Sequence, residues 1–462
     1  MEVPILLPKI FDYPLTYKVN KESLNVGDFV EVPFGKTQEV GVVWDKKQIL
    51  DKKIKIKKIN KKIPEIKINK SLINFINWFS LYNLAPKGLV LKMCLGKNFD
   101  LQSLKPDFKL QKIKKNIVEL SQSQKNALRE LSKYEKNFCT TVLQGVTGSG
   151  KTLVYFERIK KYIKKDKQVL VLLPEIFLTN QFHKRFENFF GFKPSIWHSR
   201  VTPKNKKIMW HGVKEGKIKI VIGVRSSLFL PFKKLGLIIV DEEHDQSYKQ
   251  DDGVIYNARD MAIARASFEN IPINLVTAVP SLETFKNIKT KKYNHVILEN
   301  RFQNFPLPKS KIINIDIKKD KNFISSESLK TVEKYLLNND QILFFLNRRG
   351  YSNFLICKNC GYKHSCPNCS IYLTYHSFSS KVICHYCDYT KKLDKKCLKN
   401  KNKCDFSKYG IGVEKVFEEL KRLFPTKKIK IFSSDFLSRK KESNNLIKDI
   451  ENNNIDILVG TQ

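Results

Sequence analysis

The run Gly145-Val-Thr-Gly-Ser-Gly-Lys-Thr152 constrains this chain more than any other stretch. It fits G-x-x-x-x-G-K-[ST] without a mismatch. Thr141-Val-Leu-Gln144 before it is short and apolar enough for a buried strand, and Leu153-Val-Tyr-Phe-Glu-Arg-Ile-Lys160 after it has helical spacing. Strand, glycine loop and helix in that order make a phosphate cradle. The backbone N–H groups of Gly145, Val146, Thr147, Gly148, Ser149 and Gly150 can close around phosphates at a helix N-terminus, where the dipole already favours negative charge. Lys151 can reach the outer phosphates, and the Thr152 hydroxyl can hold Mg²⁺. The stretch predicts a bound nucleoside triphosphate.

The strand signals around this loop set the fold class. Gln168-Val-Leu-Val-Leu-Leu-Pro174, Lys219-Ile-Val-Ile-Gly-Val224, Leu235-Gly-Leu-Ile-Ile-Val240 and Asn274-Leu-Val-Thr-Ala278 read as buried strands between helical stretches, one of which begins near Ile176. That alternation predicts an α/β, RecA-like parallel sheet with helices on both faces and ligands at the carboxyl ends of its strands. A second set, Gln341-Ile-Leu-Phe-Phe-Leu-Asn347, Lys428-Ile-Lys-Ile-Phe432 and Ile455-Asp-Ile-Leu-Val-Gly460, predicts another lobe. Residues 1 to about 60 read as a small β-rich unit, with extended runs at 11–14, 27–33 and 40–44 and a turn at Phe34-Gly35-Lys36. A lysine-rich connector follows at 52–62. Residues 71–95 then read as one or two helices, with Trp78, Phe79, Tyr82 and Leu84 on the apolar face. Expected domains are 1–96, a linker 97–118, a first lobe 119–305 and a second lobe 306–462 with an insertion at 356–405.

Asp241-Glu-Glu-His244 runs directly out of an apolar strand. Asp241 is placed to hold Mg²⁺ through water and Glu242 to orient and deprotonate an attacking water, with His244 as a coupling residue. A plain solvated turn would also accept two carboxylates, but not as readily downstream of a phosphate loop. Leu120-Ser-Gln-Ser-Gln124 opens a helix with Ser121 or Ser123 as cap; Gln124 either reads an adenine edge or is a solvated helix start, and the residues leave both open.

Of ten cysteines, eight lie between Cys357 and Cys404. Cys357/Cys360, Cys366/Cys369 and Cys384/Cys387 are C-x-x-C knuckles, followed by Cys397 and Cys404. Paired thiolates at that spacing suit two tetrahedral Zn²⁺ sites of structural type, while an iron–sulfur cluster satisfies the same spacing. Cys94 and Cys139 stand alone in apolar runs and read as core residues. No apolar run approaches the roughly 18 residues of a membrane span, and Met1-Glu-Val-Pro-Ile-Leu-Leu-Pro has no basic region ahead of its apolar stretch. The expectation is a cytoplasmic protein without a membrane partner. The formal charge of +40 favours a polyanionic partner. Lys, Ile and Asn recur in every segment, however, so part of that charge is compositional.

Taken together these residues resemble the PriA (primosomal protein N′) family. The resemblance rests on the phosphate loop, Leu173-Pro-Glu-Ile176, Gly223-Val-Arg-Ser-Ser-Leu-Phe229, Asp241-Glu-Glu-His-Asp245, Ser247-Tyr-Lys-Gln250, Phe345-Leu-Asn-Arg-Arg-Gly-Tyr351, the eight cysteines and Gly460-Thr-Gln462. Phe11-Asp-Tyr13 and Val32-Pro-Phe-Gly35 extend it to the N-terminus. It implies a superfamily 2, ATP-dependent DNA helicase moving 3′→5′ at stalled forks, with ATP, Mg²⁺ and two Zn²⁺ per chain, working as a monomer. It also implies forked and single-stranded DNA, primosome proteins and single-stranded DNA-binding protein as partners. On it, Gln124 contacts adenine, and Asp12 and Tyr13 lie by a DNA 3′ end. Residues 247–259 form an aromatic-rich loop whose Tyr248, Lys249 and Tyr256 meet DNA. One zinc takes Cys357, Cys360, Cys397 and Cys404; the other takes the two middle knuckles.

The chain also departs from the pattern. Residues 97–118 are too few for the family's winged-helix domain. Thr277-Ala-Val-Pro280 stands for Ser-Ala-Thr-Pro, and Gly410-Ile-Gly-Val-Glu414 for Gly-x-Gly-Thr-Glu. A second lobe stopping at Gln462 is expected to lack the later arginine motif. A fork-binding zinc scaffold with little turnover is therefore the competing expectation, and an RNA helicase a weaker one.

Overall fold

The computed structural model describes residues 1–19, 23–45, 56–95, 119–174, 180–301, 306, 308–313, 324–346, 354–357, 362–369, 371–376, 381–384, 386–393, 406–409, 413–432 and 440–461. The linker 97–118, Glu175, Ile176, residues 347–351, Cys360, Cys397, Cys404 and Gln462 lie outside them. The chain divides into two compact units, Met1–Leu307 and Pro308–Gln462.

The first unit begins with β1 (Glu2–Leu6), β2 (Leu15–Lys18), β3 (Asp28–Phe34), β4 (Thr37–Val43) and β5 (Lys61–Lys67), an antiparallel sheet of order β2-β1-β4-β3-β5. Gly35, at φ 62°, makes the expected turn between β3 and β4. Two expectations need correction. Phe11-Asp-Tyr-Pro14 is a bend ahead of β2 rather than a strand, and the lysine-rich stretch ends inside β5. There Lys61 pairs with Glu31 at 3.1 Å and Lys62 with Asp28 at 2.8 Å, so those lysines answer acids on the neighbouring strand β3.

Two helices follow, α1 (Lys70–Tyr82) and α2 (Lys87–Leu95). Asn69 caps α1 by accepting from Leu72 N. The buried face of α1 is Leu72, Ile73, Phe75, Ile76 and Phe79; Tyr82 and Leu84, expected on the apolar face, are exposed. The 3.6-residue period places Leu72, Phe75, Ile76 and Phe79 on one stripe, and Tyr82 has reached the helix end.

The second layer is α3 (Gln122–Ser132), β6 (Cys139–Gly145), α4 (Lys151–Lys164), β7 (Gln168–Leu172), α5 (Asn180–Phe190), β8 (Ser195–Trp197), α6 (Pro203–Glu215), β9 (Ile220–Gly223), β10 (Leu235–Asp241), the short pair β11 (Lys249–Gln250) and β12 (Tyr256–Asn257), α7 (Ala258–Glu269), β13 (Pro272–Thr277), α8 (Leu282–Lys289) and β14 (Asn294–Leu298). The main sheet is parallel, of order β14-β6-β13-β10-β7-β9-β8. Its inner strands are those the sequence shows as apolar runs. The two edges, β8 and β14, are short or alternate exposed with buried residues and gave no such signal.

Alternate residues of this sheet feed two cores. Leu143, Val169, Val171, Leu237, Ile239 and Val276 face a core with α3, α4 and α5. Val142, Leu170, Leu172, Ile238, Val240 and Leu275 face the other, which α1, α2, α6 and α7 share. The N-terminal segment is therefore fused to the nucleotide-loop layer. Phe75 and Phe79 pack on Phe229 with centroids 5.9 and 5.1 Å apart, Phe79 meets Tyr256 at 5.3 Å, and Trp210 Nε1 donates to Cys94 O at 2.8 Å.

The second unit holds a three-stranded parallel sheet of Ile342–Phe345, Ile457–Gly460 and Ile429–Phe432, covered by Ser326–Leu337 and Val413–Leu423. The cysteine-rich segment lies between an antiparallel pair, Phe354–Cys357 with Phe406–Tyr409.

Removing the central ring of the shared core tests the fusion. Phe79→Ala is expected to cost about 3–5 kcal/mol, read as a drop in the urea midpoint of unfolding at unchanged slope. A loss under about 1 kcal/mol would separate the N-terminal segment from the nucleotide-loop layer.

Candidate nucleotide site and cysteine cluster

Gly148 and Gly150 adopt φ of 84° and 83°, the left-handed region that favours glycine. A Cβ on Gly150 would stand 2.2 Å from Gln124 Nε2, so the loop can turn there only without a side chain. Gln124 is fully buried, which corrects the solvated reading. Its Oε1 accepts from Ser121 N at 3.0 Å in a capping box, and its Nε2 donates to Ser149 O at 3.1 Å. Ser121, not Ser123, is the cap. The glutamine thus ties the start of α3 to the phosphate loop.

Lys151 sits at the first position of α4 and folds over the loop, its Nζ 2.7 Å from Gly145 O and 3.5 Å from Val146 O. Burial lowers its pKa from the ordinary value, outweighing the opposing pull of Glu242 and Asp241. Asp241 closes β10, a strand buried along its whole length. Its Oδ2 accepts from the Tyr155 hydroxyl at 2.9 Å and its Oδ1 from Glu242 N at 3.0 Å. Burial first, and Glu242 second, push the carboxyl up to about 6. Glu242 follows in the left-handed region at φ 47°, a conformation costing about 1–3 kcal/mol that recurs at functional sites. His244 Nδ1 is 2.8 Å from Thr277 Oγ1 and 3.7 Å from Glu242 Oε2. Thr277 in turn donates to Val279 O at 2.8 Å.

Two carboxylates, a lysine and a glycine cradle at the ends of parallel strands form a site for a nucleoside triphosphate. The hard oxygens of Thr152 and Asp241 fit Mg²⁺, which binds through few protein ligands and substrate phosphates.

Sequence reasoning missed Tyr155, Glu243 and Arg301. Tyr155 lies one turn beyond Lys151 on α4, on the face that meets Asp241, and that i, i+4 spacing was the available signal. Glu243 is buried and accepts from Ser281 N at 2.8 Å, Ser281 Oγ at 3.1 Å, Thr284 Oγ1 at 2.9 Å and Arg259 at 3.3 Å. Arg301 donates through Nε to Thr147 O at 3.1 Å, placing a guanidinium at the exposed tip of the loop. No local pattern marks it.

The proposed DNA residues divide. Asp12 and Tyr13 are exposed; Asp12 Oδ1 lies 3.3 Å from Ser80 Oγ and 3.3 Å from Lys87 N, which fixes this bend against the junction of α1 and α2. Lys249 is exposed, 3.1 Å from Asp251. The two tyrosines are corrected as stacking platforms. Tyr248 is 1% exposed, its hydroxyl donating to Asp241 O at 2.6 Å and lying 3.0 Å from Leu172 O; Tyr256 is 3% exposed among Phe79 and Phe229. Each ring is worth more in the core than in water, so the loop presents its tip and keeps its aromatic ends inside.

In the second unit the Sγ atoms of Cys366, Cys369, Cys384 and Cys387 all lie within 4.8 Å of one another, and those of Cys366 and Cys387 are 3.5 Å apart. Four thiolates at about 2.3 Å around tetrahedral Zn²⁺ stand about 3.8 Å apart, so the cluster fits that ion with no position left for water. Without an ion the thiols divide: the Tyr389 backbone N–H first of all draws Cys387 down to about 7, and the hydrogen bond to Cys387 first of all pushes Cys369 up to about 12. Cys357 is buried at a strand end.

Comparison with known proteins agrees with this layout. A model of the 3'DNA-binding domain (3'BD) matches residues 2–96, one of the Type III restriction enzyme, res subunit, matches 117–282, and one of the PriA DNA helicase Cys-rich region (CRR) domain matches 366–392. The Replication restart protein PriA of Rickettsia conorii is 43% identical over 466 residues, covering 99% of this chain and 71% of that protein. The chain belongs to the PriA family. More distant relatives of the same name are those of Haemophilus influenzae, 37% identical over 75% of this chain and 47% of that protein, and Bacillus subtilis, 34% identical over 70% and 40%. Membership makes the nucleotide site that of a helicase and the four-cysteine cluster a zinc ribbon.

Two outcomes are expected. Asp241 has a raised pKa in the folded chain, so folding binds a proton there and its ionisation costs stability as pH rises from about 4 through 6. Asp241→Asn should thus stabilise the nucleotide-free chain by roughly 1–3 kcal/mol at pH 7 and by much less at pH 4, while abolishing ATP turnover. Urea unfolding at the two pH values measures this. Separately, Cys384→Ser should lower bound zinc by one ion per chain in a metal assay.

Proposed function

We propose that this chain is an ATP-dependent DNA helicase of replication restart, moving 3′→5′ at stalled forks ahead of primosome assembly. One observation carries the reading: the segment matching a 3′ DNA-binding domain shares its hydrophobic core with the ATP-site layer, through Phe75, Phe79, Phe229 and Tyr256. A DNA end and a nucleotide held in one unit are what a fork-sensing motor requires.

ATP binds with its phosphates in the backbone cradle of residues 145–150, and Lys151 leaves the loop carbonyls to meet the outer phosphates. Thr152 and Asp241 would hold Mg²⁺, which would supply positive charge to the phosphates. Glu242, next along the chain from Asp241 and partly exposed, takes a proton from the attacking water. Gln124 fixes the loop from behind, and reading an adenine edge would require its amide to leave Ser121 and Ser149. Asp12 and Tyr13 meet the DNA 3′ end, and Lys249 at the loop tip meets the phosphate backbone. Single-stranded DNA-binding protein and primosome proteins are the partners this role calls for, in a cytoplasmic monomer. A second zinc, on Cys357, Cys360, Cys397 and Cys404, completes the cysteine-rich segment.

ATP hydrolysis by the chain on a model fork, beside single-stranded RNA and with Lys151→Ala as control, tests the reading. Fork-stimulated turnover that RNA does not reproduce and the control abolishes is expected. Tight fork binding without turnover would make the chain a scaffold instead, and equal stimulation by RNA would make it an RNA helicase.

A further inference from the structure

Three side chains hold carbonyls of the phosphate loop. Lys151 Nζ takes Gly145 O and Val146 O, and Gln124 Nε2 takes Ser149 O. At the tip the donor is Arg301, whose Nε lies 3.1 Å from Thr147 O. Arg301 comes from the segment just past β14, whose last residue, Leu298, is in register with Gly145. The same guanidinium donates through Nη1 to Pro306 O at 2.8 Å, so its rigid plane bridges two backbone carbonyls. Among the described residues no carboxylate pairs with it, and its charge stays at the tip of the loop.

The Thr147 carbonyl matters because of what shares its peptide plane. In a trans peptide the C=O and N–H point in opposite directions, so holding Thr147 O against Arg301 turns the Gly148 N–H the other way. Among the described residues no acceptor takes that N–H. Gly148 adopts φ 84°, and a Cβ there would stand 3.2 Å from Arg301 Nε and 3.3 Å from Nη2, so the guanidinium lies directly against it. Free backbone N–H groups in a glycine turn are what a phosphate binds. Lys151 stops holding its carbonyls once it moves to the outer phosphates. Gln124 and Arg301 remain, one behind the loop and one at its tip.

We propose that Arg301 is a positioning residue of the nucleotide site: by holding the Thr147 carbonyl it presents the Gly148 N–H to a phosphate that ATP and ADP share. This rests on the reading of residues 145–150 as the ATP cradle, whose backbone N–H groups take the α- and β-phosphates. Acting through the loop, the guanidinium strengthens the bound ground state and the transition state alike, which lowers KM and leaves kcat in place. A hydrogen bond from a charged donor is worth about tenfold or more in an equilibrium, and that is the scale of affinity at stake.

Binding of a fluorescent ADP analogue with Mg²⁺ to the full chain, beside steady-state ATP hydrolysis, tests this. Arg301→Met is expected to weaken ADP about tenfold and to raise KM for ATP by a similar factor, with kcat within about twofold. Arg301→Lys keeps the cation but not the plane that spans two carbonyls, and is expected to weaken ADP about threefold. A merely structural role predicts a lower melting temperature with ADP affinity unchanged, and a role on the reacting phosphate predicts a fall in kcat at unchanged KM; either result overturns the proposal. Full recovery by Arg301→Lys would reduce the residue to a distant charge and overturns it as well. ADP binding needs no turnover, so it decides even in a chain that hydrolyses slowly. Should Arg301→Met not melt cooperatively, Arg301→Lys decides alone, and unchanged affinity there is equally fatal. If the unaltered chain binds no ADP, the nucleotide reading fails and the proposal with it, whereas equal binding by the unaltered chain and both variants removes only the role of Arg301.

Discussion

Strand β10 is buried along its whole length and ends on an acid, so the carboxylate of Asp241 carries a desolvation cost that only neighbouring donors can offset. The Tyr155 hydroxyl and the Glu242 N–H supply those donors, and Lys151 supplies charge. Lys151 and Tyr155 both sit on α4, at the end of the phosphate loop and one turn beyond it, and Glu242 lies in the turn after β10. Holding one acid at the end of an apolar strand thus fixes the relative positions of the pieces that later hold nucleotide. The rest of the unit is arranged to keep that strand central and dry.

Dryness on one face comes from α3, α4 and α5 with their phenylalanines, Phe156, Phe186, Phe189 and Phe190, in mutual edge and tilted contact. On the other face it comes from the N-terminal helices. A nucleotide layer whose second face is closed by another binding domain is unable to change shape without that domain feeling it, because packed interiors do not deform continuously. The buried tyrosines of the loop have the same consequence. Tyr248 reports to Asp241 and Tyr256 to Phe79, so the loop joins the two ligand-binding regions through its anchors rather than through stacking rings.

Charge plays a different part. With 85 basic and 45 acidic side chains, complete one-to-one pairing would still leave a surplus of 40. Pairs such as Lys133 with Glu130 at 2.7 Å and Lys219 with Asp166 at 2.6 Å lie at the surface, where each is worth little, while Arg265 with Glu269 at 2.7 Å is buried. The surplus acts at longer range, raising the local concentration of a polyanion and making its binding depend on salt.

The sequence by itself determined the chemistry: the phosphate loop, the acidic strand end, the cysteine knuckles and the parallel sheet. Each is written in contiguous residues whose type and spacing are required by a local geometry, whether a glycine turn, a buried strand or a tetrahedral ion. Tertiary structure alone decided which groups those motifs lean on. Gln124 lies buried against Ser149, Arg301 reaches Thr147, and Glu243 gathers donors from Arg259, Ser281 and Thr284. It also decided that Tyr248 and Tyr256 face inward, and that β8 and β14 close the sheet. Those outcomes depend on what packs across the chain at long separation, where burial and hydrogen-bond satisfaction override local pattern.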